Sequence, residues 1–342
     1  MKKYTAAVIG TGRIGFSLGF DKKREQPASH TVSLLENKRI KLIAGCDTNP
    51  ENLAKFYNHV VHSNHDLQVY ENVDLLMQRC KPDICVISVN EESHLHTALK
   101  VIDAKPKLII LEKPVALNMA EGELIRNAAQ KNNVPILVNH ERRFADDYNF
   151  AKTYLPKLGN LLSVNARLDS GLRVFSPESI NNGEYSLLHD GTHLVDIVLF
   201  LLGENELSNI SVTNITRDEK DYSVVRNINV HCSAKSCDDV NLNISGRSRY
   251  FGFEIELIGT LGRIKIGNGI YEFYQREESK LYTGFYSLKK DKSVKKYKKT
   301  GYFKNMTQNA VDFLDGKAEL KSTLQTGLDT LKILEEIRKS LH

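Results

Sequence analysis

The chain contains 342 residues, the usual length of two domains of about 100–200 residues each. Hydrophobic residues make up 41% and charged residues 26% of it, a balance that argues against long disordered segments and against collagen-like or coiled-coil architecture. The net charge of +5 is too small and too dispersed to indicate a nucleic-acid partner. No apolar run approaches the roughly 20 residues that cross a bilayer, so we expect no membrane partner.

The first residues and the cysteines indicate the compartment. Met1–Tyr4 leads directly into a strand-like segment and has no apolar region of a signal peptide. The cysteines are odd in number, and their spacing matches neither a zinc ribbon nor a Cys-x-x-Cys redox motif. We therefore expect a cytoplasmic protein with no metal site and with reduced, mostly buried thiols. The cysteines are Cys46, Cys80, Cys85, Cys232 and Cys237.

The first 140 residues alternate between short β-branched runs and longer segments with apolar residues at helical spacing. This alternation predicts parallel strands joined by crossover helices, and continuous apolar runs are typical of strands that are buried on both faces. The predicted strands are 6–10, 41–46, 84–89, 108–111 and 136–139. The predicted helices between them include 49–57, 94–104 and 119–132.

From about residue 160 the pattern changes to strand-like runs separated by polar turns, which predicts a large, mostly antiparallel sheet. The predicted strands are 161–168, 210–214, 224–231, 240–246 and 251–258. We expect one helix from about Leu187 to Gly203 and a last helical block over 306–314 and 324–341. The predicted domains are 1–140 and 141–342, and the C-terminal helices over 306–342 are candidates for packing back on the first domain.

A glycine-rich motif follows the first predicted strand. Gly10, Gly12 and Gly15 form a Gly-x-Gly-x-x-Gly pattern around Arg13 and Ile14. A backbone that turns sharply and approaches a pyrophosphate has no room for side chains, and a helix that follows would direct its positive end at the phosphates. The position of the motif after an N-terminal strand predicts a dinucleotide-binding domain of the Rossmann type.

The same fingerprint needs an acidic residue after the second strand, where it binds the ribose hydroxyls. Asp47 fits this role, although it lies further along the chain than the usual ~20 residues. We attribute the excess to an insertion over 16–33. A carboxylate at Asp47 would repel a 2′-phosphate, so the sequence favours NAD over NADP.

Further motifs in chain order resemble the Gfo/Idh/MocA family of NAD(P)-dependent oxidoreductases, which includes glucose-fructose oxidoreductase and inositol dehydrogenase. The resemblance covers nearly the whole chain, and it implies a Rossmann domain followed by an α/β domain with an open, mostly antiparallel sheet. One face of that sheet carries substrate in the family, and the other often makes an oligomer contact, which implies a dimer or tetramer. Besides the glycine loop, the matching residues are Glu112-Lys113-Pro114, Asn139-His140-Glu141-Arg142-Arg143-Phe144, His193 and Ile258-Gly259-Thr260-Leu261-Gly262.

The resemblance also implies roles for individual residues. In the family, the lysine of Glu-Lys-Pro contacts both the nicotinamide ribose and the substrate hydroxyl. We therefore expect Lys113 to bind cofactor and to polarise the hydroxyl, with Glu112 beside it at the cofactor. His193 aligns with the histidine of the family's Asp-x-x-x-His helix, where it would act as the general base.

This helix departs from the family pattern. His189 occupies the aspartate position, and Asp190 is displaced by one residue. Either His189 contacts substrate hydroxyls while Asp190 orients His193, or the site has changed and no longer performs the usual chemistry. A third interpretation is that His189 and His193 form a zinc-binding pair, although no obvious third ligand follows them.

Several basic residues have open assignments. Arg143 could bind cofactor or substrate oxygens or pair with nearby carboxylates. Arg167 and Arg173 could recognise a phosphate, as on a nucleotide-linked sugar. The lysine-rich run over 289–299 is expected to be an exposed edge strand or loop kept soluble by its charge.

Together these features predict an NAD-dependent dehydrogenase that acts on a secondary alcohol of a sugar, cyclitol or sugar derivative. One alternative is a redox-cycling elimination or glycoside cleavage without net turnover of NAD. The other is a non-catalytic, NAD-binding regulatory protein that retains the fold.

Overall fold

The computed structural model describes residues 3–341, so Met1, Lys2 and His342 lie outside the described residues. Within that range the chain forms a six-stranded sheet and an eight-stranded sheet. It divides into two compact units. The first unit continues to Ala145 and takes in Lys299–Leu328, and the second comprises Asp146–Lys298 and the chain from Asp329 onward. The chain therefore leaves the first unit and re-enters it at Lys299.

The first unit contains a wholly parallel sheet with the strand order β3-β2-β1-β4-β5-β6. The central strands β4 and β5 are apolar throughout and fully buried, because helices cover both faces of such a sheet. This confirms the predicted doubly wound fold. The strands are β1 Tyr4–Ile9, β2 Ile40–Cys46, β3 Gln68–Tyr70, β4 Ile84–Ile87, β5 Leu108–Leu111 and β6 Ile136–Val138.

The helices of the first unit begin with side-chain caps that the sequence supplies. Ser29, Asn49, Asn72 and Asn118 each accept hydrogen bonds from backbone N–H groups of the following first turn. The helices are α1 His30–Glu36, α2 Pro50–Val60, α3 Val73–Cys80, α4 His94–Asp103 and α5 Met119–Asn132. A later helix, α9 Tyr302–Leu314, packs into the same hydrophobic core through buried Phe303 and Met306 among others.

The second unit contains the sheet β14-β13-β12-β11-β7-β10-β9-β8, in which only the β7–β10 pair is parallel among the described residues. A mostly antiparallel second sheet is thus confirmed, and it is larger than predicted. The strands are β7 Leu161–Asp169, β8 Ser208–Arg217, β9 Val225–Ala234, β10 Cys237–Ser245, β11 Gly252–Gly259, β12 Gly262–Gly267, β13 Ile270–Glu278 and β14 Tyr286–Lys290. The lysine run over 289–299 begins in the exposed edge strand β14 and continues as irregular chain.

The remaining helices are α6 Asp146–Tyr154, α7 Ser186–His189, α8 Gly191–Leu202 and α10 Leu324–Lys339. The single helix predicted from Leu187 to Gly203 was wrong, because α7 ends at His189 and Asp190 forms a turn before α8. A Cβ on Gly191, directly after this break, would lie 3.2 Å from the carbonyl oxygen of Ser186.

The prediction that the cysteines are mostly buried is confirmed, and within residues 3–341 all of them are free thiols. Burial raises the pKa of Cys46 and that of Cys232 to about 12, so neither is a reactive thiolate. No helix within residues 3–341 combines the length and the apolar character that crossing a bilayer requires.

Candidate functional site

The candidate site lies at the edge of the first sheet where the carboxyl ends of its parallel strands meet. The strand order reverses between β1 and β4, and ligands of doubly wound sheets bind at that point. A glycine or a polar residue directly follows each of five strands on this edge. These residues are Gly10 after β1, Asp47 after β2, Ser88 after β4, Glu112 after β5 and Asn139 after β6.

The glycine loop lies so close to the end of β4 that side chains are excluded from it. Gly10 has a φ of +89°, and a Cβ on it would lie 2.5 Å from the backbone of Ser88. A Cβ on Gly15 would overlap the carbonyl oxygen of Gly10. At Gly12, by contrast, a Cβ would meet only the side chain of Asn52 among the described residues, at 3.8 Å. The backbone at Gly12 therefore faces open space, as a loop that approaches a pyrophosphate must.

The helix expected directly after the glycine loop is interrupted, which corrects the prediction. After one turn the chain forms a short 3-10 helix over Ser17–Phe20 and an irregular loop, and α1 begins only at His30. His30 N–H then donates to Ile14 O at 3.0 Å and Thr31 N–H donates to Gly15 O at 3.0 Å. The insertion is thus looped out, and α1 resumes the hydrogen bonding of the turn that the loop began. Arg13 is exposed in this turn, and Ile14 is half-buried.

The insertion is anchored by its own carboxylate. Glu25 accepts hydrogen bonds from Gly301 N–H at 2.6 Å and from Thr300 N–H at 2.7 Å, at the start of α9. A carboxylate is favoured there because the N-terminal end of a helix is positively polarised.

Asp47 lies against the glycine loop, as the fingerprint requires. Its Oδ2 accepts hydrogen bonds from Thr11 N–H at 2.7 Å and from Thr11 Oγ1 at 3.1 Å. Its Oδ1 accepts one from Asn49 N–H at 2.8 Å. Asp47 is only half-buried, so its carboxylate remains available to a ligand.

Glu112 is buried between two partners. His30 Nε2 and Asn139 Nδ2 each lie 2.6 Å from its Oε1. Burial by itself would raise the pKa of Glu112, but the hydrogen bond and charge of His30, the hydrogen bond from Asn139 and the charge of Lys113 outweigh burial and lower it. The carboxylate therefore stays ionised beside Lys113, whose side chain is half-buried.

His94 connects the loops that follow β4 and β5. Its Nδ1 lies 2.7 Å from Pro114 O and its Nε2 lies 3.1 Å from Val89 O. Burial lowers the pKa of His94. Through these two contacts the ring fixes the turn that carries Lys113.

His189 and His193 lie in the second unit, at the end of α7 and in α8 respectively. His189, Asp190 and His193 are all half-exposed, whereas Gly191 between them is buried. This placement suits side chains that contact a small molecule.

The arginines predicted to bind substrate have protein partners. Arg167 donates from Nε and Nη2 to the two oxygens of Asp169, at 2.6 and 2.9 Å. The hydrogen bond from Arg167, ahead of its charge, lowers the pKa of Asp169, with a further contribution from Ser248. Arg173 lies 3.1 Å from Glu178, and Arg143 is buried. An anion at Arg167 would have to compete with Asp169.

Sequence reasoning missed His30, which contacts Glu112, and included Asn139 only as part of a motif. The insertion concealed His30, because it separates His30 from the glycine loop along the chain. A signal was present, since Ser29 is a typical N-cap and His30 is the first residue after it.

The site suits a dinucleotide and does not suit a metal ion. The open space at Gly12, the tight glycines and the half-buried Asp47 fit a dinucleotide's pyrophosphate and ribose. Over the described range, no group of three or more His, Cys, Asp and Glu side chains is placed to hold a metal. The zinc interpretation of His189 and His193 therefore finds no third ligand there.

The sheet order and the glycine loop define a dinucleotide-binding Rossmann protein, and the comparison with known families agrees. Residues 4–140 match the family model described as an oxidoreductase family with an NAD-binding Rossmann fold. Over residues 4–140 the chain therefore matches the Gfo/Idh/MocA family of oxidoreductases.

Known proteins resemble the chain beyond its first domain. Glucose-6-phosphate 3-dehydrogenase of Bacillus subtilis is 26% identical over 264 residues, which are 72% of this chain and 73% of that protein. A dehydrogenase from Chromobacterium violaceum has a TM-score of 0.80 at 15% identity and covers 99% of this chain and 95% of its own. The WlbA dehydrogenase from Bordetella pertussis was solved with NADH and UDP-GlcNAcA. It has a TM-score of 0.73 at 16% identity, and the match covers 99% of this chain and 97% of that one. The structural likenesses show a shared fold.

The contrast between Gly12 and Gly15 gives a test of the loop. We expect Gly12→Ala to fold with an unchanged melting temperature but to lose NADH binding, because its methyl group would fill the space above the loop. Gly15→Ala should lower the melting temperature, because its Cβ overlaps the backbone of Gly10. Thermal unfolding and NADH fluorescence titration measure both effects. Normal NADH binding by Gly12→Ala would contradict the assignment of this space to the pyrophosphate.

Proposed function

We propose that the protein is an NAD-dependent dehydrogenase that oxidises a secondary alcohol of a sugar, cyclitol or sugar derivative to a ketone, or catalyses the reverse reaction. The observation that carries the proposal is the half-buried Lys113, which follows β5 on the same sheet edge as the glycine loop and Asp47. A buried carboxylate lies next to it, and His94 holds the turn that follows it.

The relatives support a carbohydrate substrate. The Bacillus subtilis relative is named for the oxidation of a sugar phosphate, and the Bordetella pertussis structure contains a nucleotide sugar. Both of these ligands are anionic. Arg143, Arg167 and Arg173 are the candidates for binding such a group here. Arg143 is buried, whereas Arg167 and Arg173 are exposed but pair with Asp169 and Glu178. Arg167 also lines the open face of the second sheet, which leaves Arg173 as the candidate away from that face.

The chain's own residues then have distinct tasks. A bound dinucleotide would accept the hydride in its oxidised form or donate it in its reduced form. Gly10, Gly12 and Gly15 give its phosphates access to the backbone, and Asp47 accepts hydrogen bonds from its ribose. The Lys113 ammonium donates a hydrogen bond to the substrate hydroxyl oxygen and stabilises the negative charge that develops there.

The remaining roles belong to the second unit. His193 takes the hydroxyl proton as general base, because an imidazole changes its charge near neutral pH. His189 contacts substrate hydroxyls in the place of the family's aspartate, and Asp190 orients His193.

Replacing Lys113 separates an enzyme from a regulatory protein. We expect Lys113→Met to lower kcat by about 100-fold or more, because one hydrogen-bond donor at a developing charge is lost, while NADH binding largely persists. Reduction of NAD, followed at 340 nm with the best substrate from a panel of sugars, cyclitols, sugar phosphates and nucleotide sugars, measures the effect.

The exposed Lys131 in the last turn of α5 provides a matched control, and Lys131→Met should retain full activity. Wild-type activity in Lys113→Met would contradict the catalytic role. If the wild-type protein bound NADH and turned over no member of the panel, the regulatory alternative would be favoured. Conversion of a glycoside without net formation of NADH would favour the redox-cycling alternative.

The preference for NAD over NADP is proposed from the charge of Asp47. Replacing it with serine removes a carboxylate that would lie close to a 2′-phosphate, and like charges in contact cost several kcal/mol. We expect Asp47→Ser to raise the ratio of kcat/KM for NADP to that for NAD by about tenfold or more. An unchanged ratio would show that Asp47 does not determine the preference.

We further propose that the protein is a dimer or tetramer formed through the open face of the second sheet. That face carries a shallow cavity of about 470 Å³ lined by Asn165, Asn229, Asn241 and Asn243 among other polar residues. Asparagine side chains both donate and accept hydrogen bonds, so the same face of a second copy can pair with them. Light scattering should give two or four times 38.7 kDa, and a monomer would contradict the proposal.

A further inference from the structure

His30, Glu112 and Asn139 form a buried hydrogen-bonded group beneath the candidate site. Their exposed fractions are 1%, 6% and 2%. Both hydrogen bonds to Glu112 reach Oε1, from His30 Nε2 and from Asn139 Nδ2 at 2.6 Å each. Within residues 3–341, Oε2 accepts no hydrogen bond, so it is the oxygen that a ligand could use.

The donors in this group are defined by the charge of the carboxylate. An ionised carboxylate only accepts hydrogen bonds, so Asn139 must present its NH₂ group and His30 must donate from Nε2. His30 Nδ1 and Asn139 Oδ1 are in fact both buried without a hydrogen-bond partner among the described residues. Each of these side chains thus leaves its other polar atom unsatisfied while its donor reaches Glu112.

His30 connects this group to the glycine loop. Its backbone N–H donates to Ile14 O at 3.0 Å, and the next residue, Thr31, donates to Gly15 O from both its N–H and its hydroxyl, at 3.0 and 2.6 Å. On the other side, Asn139 N–H donates to Leu111 O at 2.8 Å, directly before Glu112. His30 therefore hydrogen-bonds the phosphate-binding loop through its backbone and the Glu112-Lys113 segment through its side chain.

We propose that His30 and Asn139 are positioning residues that hold Oε1 of Glu112 between them and thereby fix Lys113 relative to the phosphate-binding loop. Oε2 of Glu112 would then remain able to accept a hydrogen bond from a bound cofactor. This inference rests on the proposed dehydrogenase function, because it assigns the buried group a task in that reaction. It also explains why the looped-out insertion is tolerated: α1 regains its place through His30 and Thr31 once the insertion ends.

Substitutions at His30 test the proposal. His30→Phe keeps an aromatic ring against Phe303, whose centroid lies 5.1 Å away, but removes the donor to Glu112. His30→Gln retains an N–H at a similar distance from the backbone. We expect His30→Phe to lower kcat by about 10–100-fold through misplacement of Lys113, and to raise the Kd of NADH several-fold. His30→Gln should restore both values to within about threefold of the wild type.

Ser33 provides a control on the same helix. It is buried one turn from His30 and hydrogen-bonds Phe303 O at 2.9 Å and the Thr307 hydroxyl, with no link to Glu112. Ser33→Ala should lower the melting temperature while kcat and the Kd of NADH stay unchanged, because its role is structural. If His30→Phe does not fold, Asn139→Leu removes the other donor and should lower kcat in the same way.

The outcomes separate this proposal from the proposed function. If the wild type binds NADH and turns over substrate while folded His30→Phe matches it, the positioning role is overturned and the dehydrogenase stands. Failure of His30→Gln to restore activity overturns it too, because ring shape rather than the donor would then matter. If the wild type itself neither binds NADH nor turns over substrate, the proposed function fails, and this inference fails with it.

Discussion

The close approach of the glycine loop to the end of β4 is the constraint on which the rest of the site depends. Gly10 lies so near Ser88 that no side chain fits between them, and the Ser88 hydroxyl donates to Gly10 O at 2.8 Å. This contact holds the loop at the point where the strand order reverses, between β1 and β4. At Gly12 the backbone of the loop faces open space. Asp47 and Glu112 lie on opposite sides of the loop, because they follow β2 and β5, the strands that flank the β1–β4 pair.

Charge is distributed over this edge in a way that favours a polar ligand. The carboxylate of Asp47 is half-exposed and keeps capacity to accept hydrogen bonds, whereas that of Glu112 is buried and already accepts two. The buried negative charge adjoins the half-buried Lys113. Burying a carboxylate costs free energy unless hydrogen bonds replace its hydration. His30 and Asn139 supply these hydrogen bonds to Glu112.

Much of this could be predicted from the sequence, because the signals are local. The apolar runs of β4 and β5, the glycine spacing and Asp47 depend on neighbours along the chain. The strand β12 was not among the predicted strands, although the alternation of Gly262-Arg263-Ile264-Lys265-Ile266 is typical of one. The contact of His30 with Glu112 joins residues that are 82 positions apart, and a looped-out insertion hides it. The break at Asp190 lies within a stretch whose apolar spacing predicts one helix, and no local pattern reveals it.

Identification of the bound dinucleotide tests the central claim most directly. The protein is purified without added cofactor and denatured, the released small molecules are identified by mass spectrometry, and the refolded or untreated protein is titrated with NADH and NADPH. The account predicts release of NAD(H), or saturable binding that is tighter for NADH than for NADPH. Binding of neither dinucleotide would contradict both the loop assignment and the dehydrogenase function.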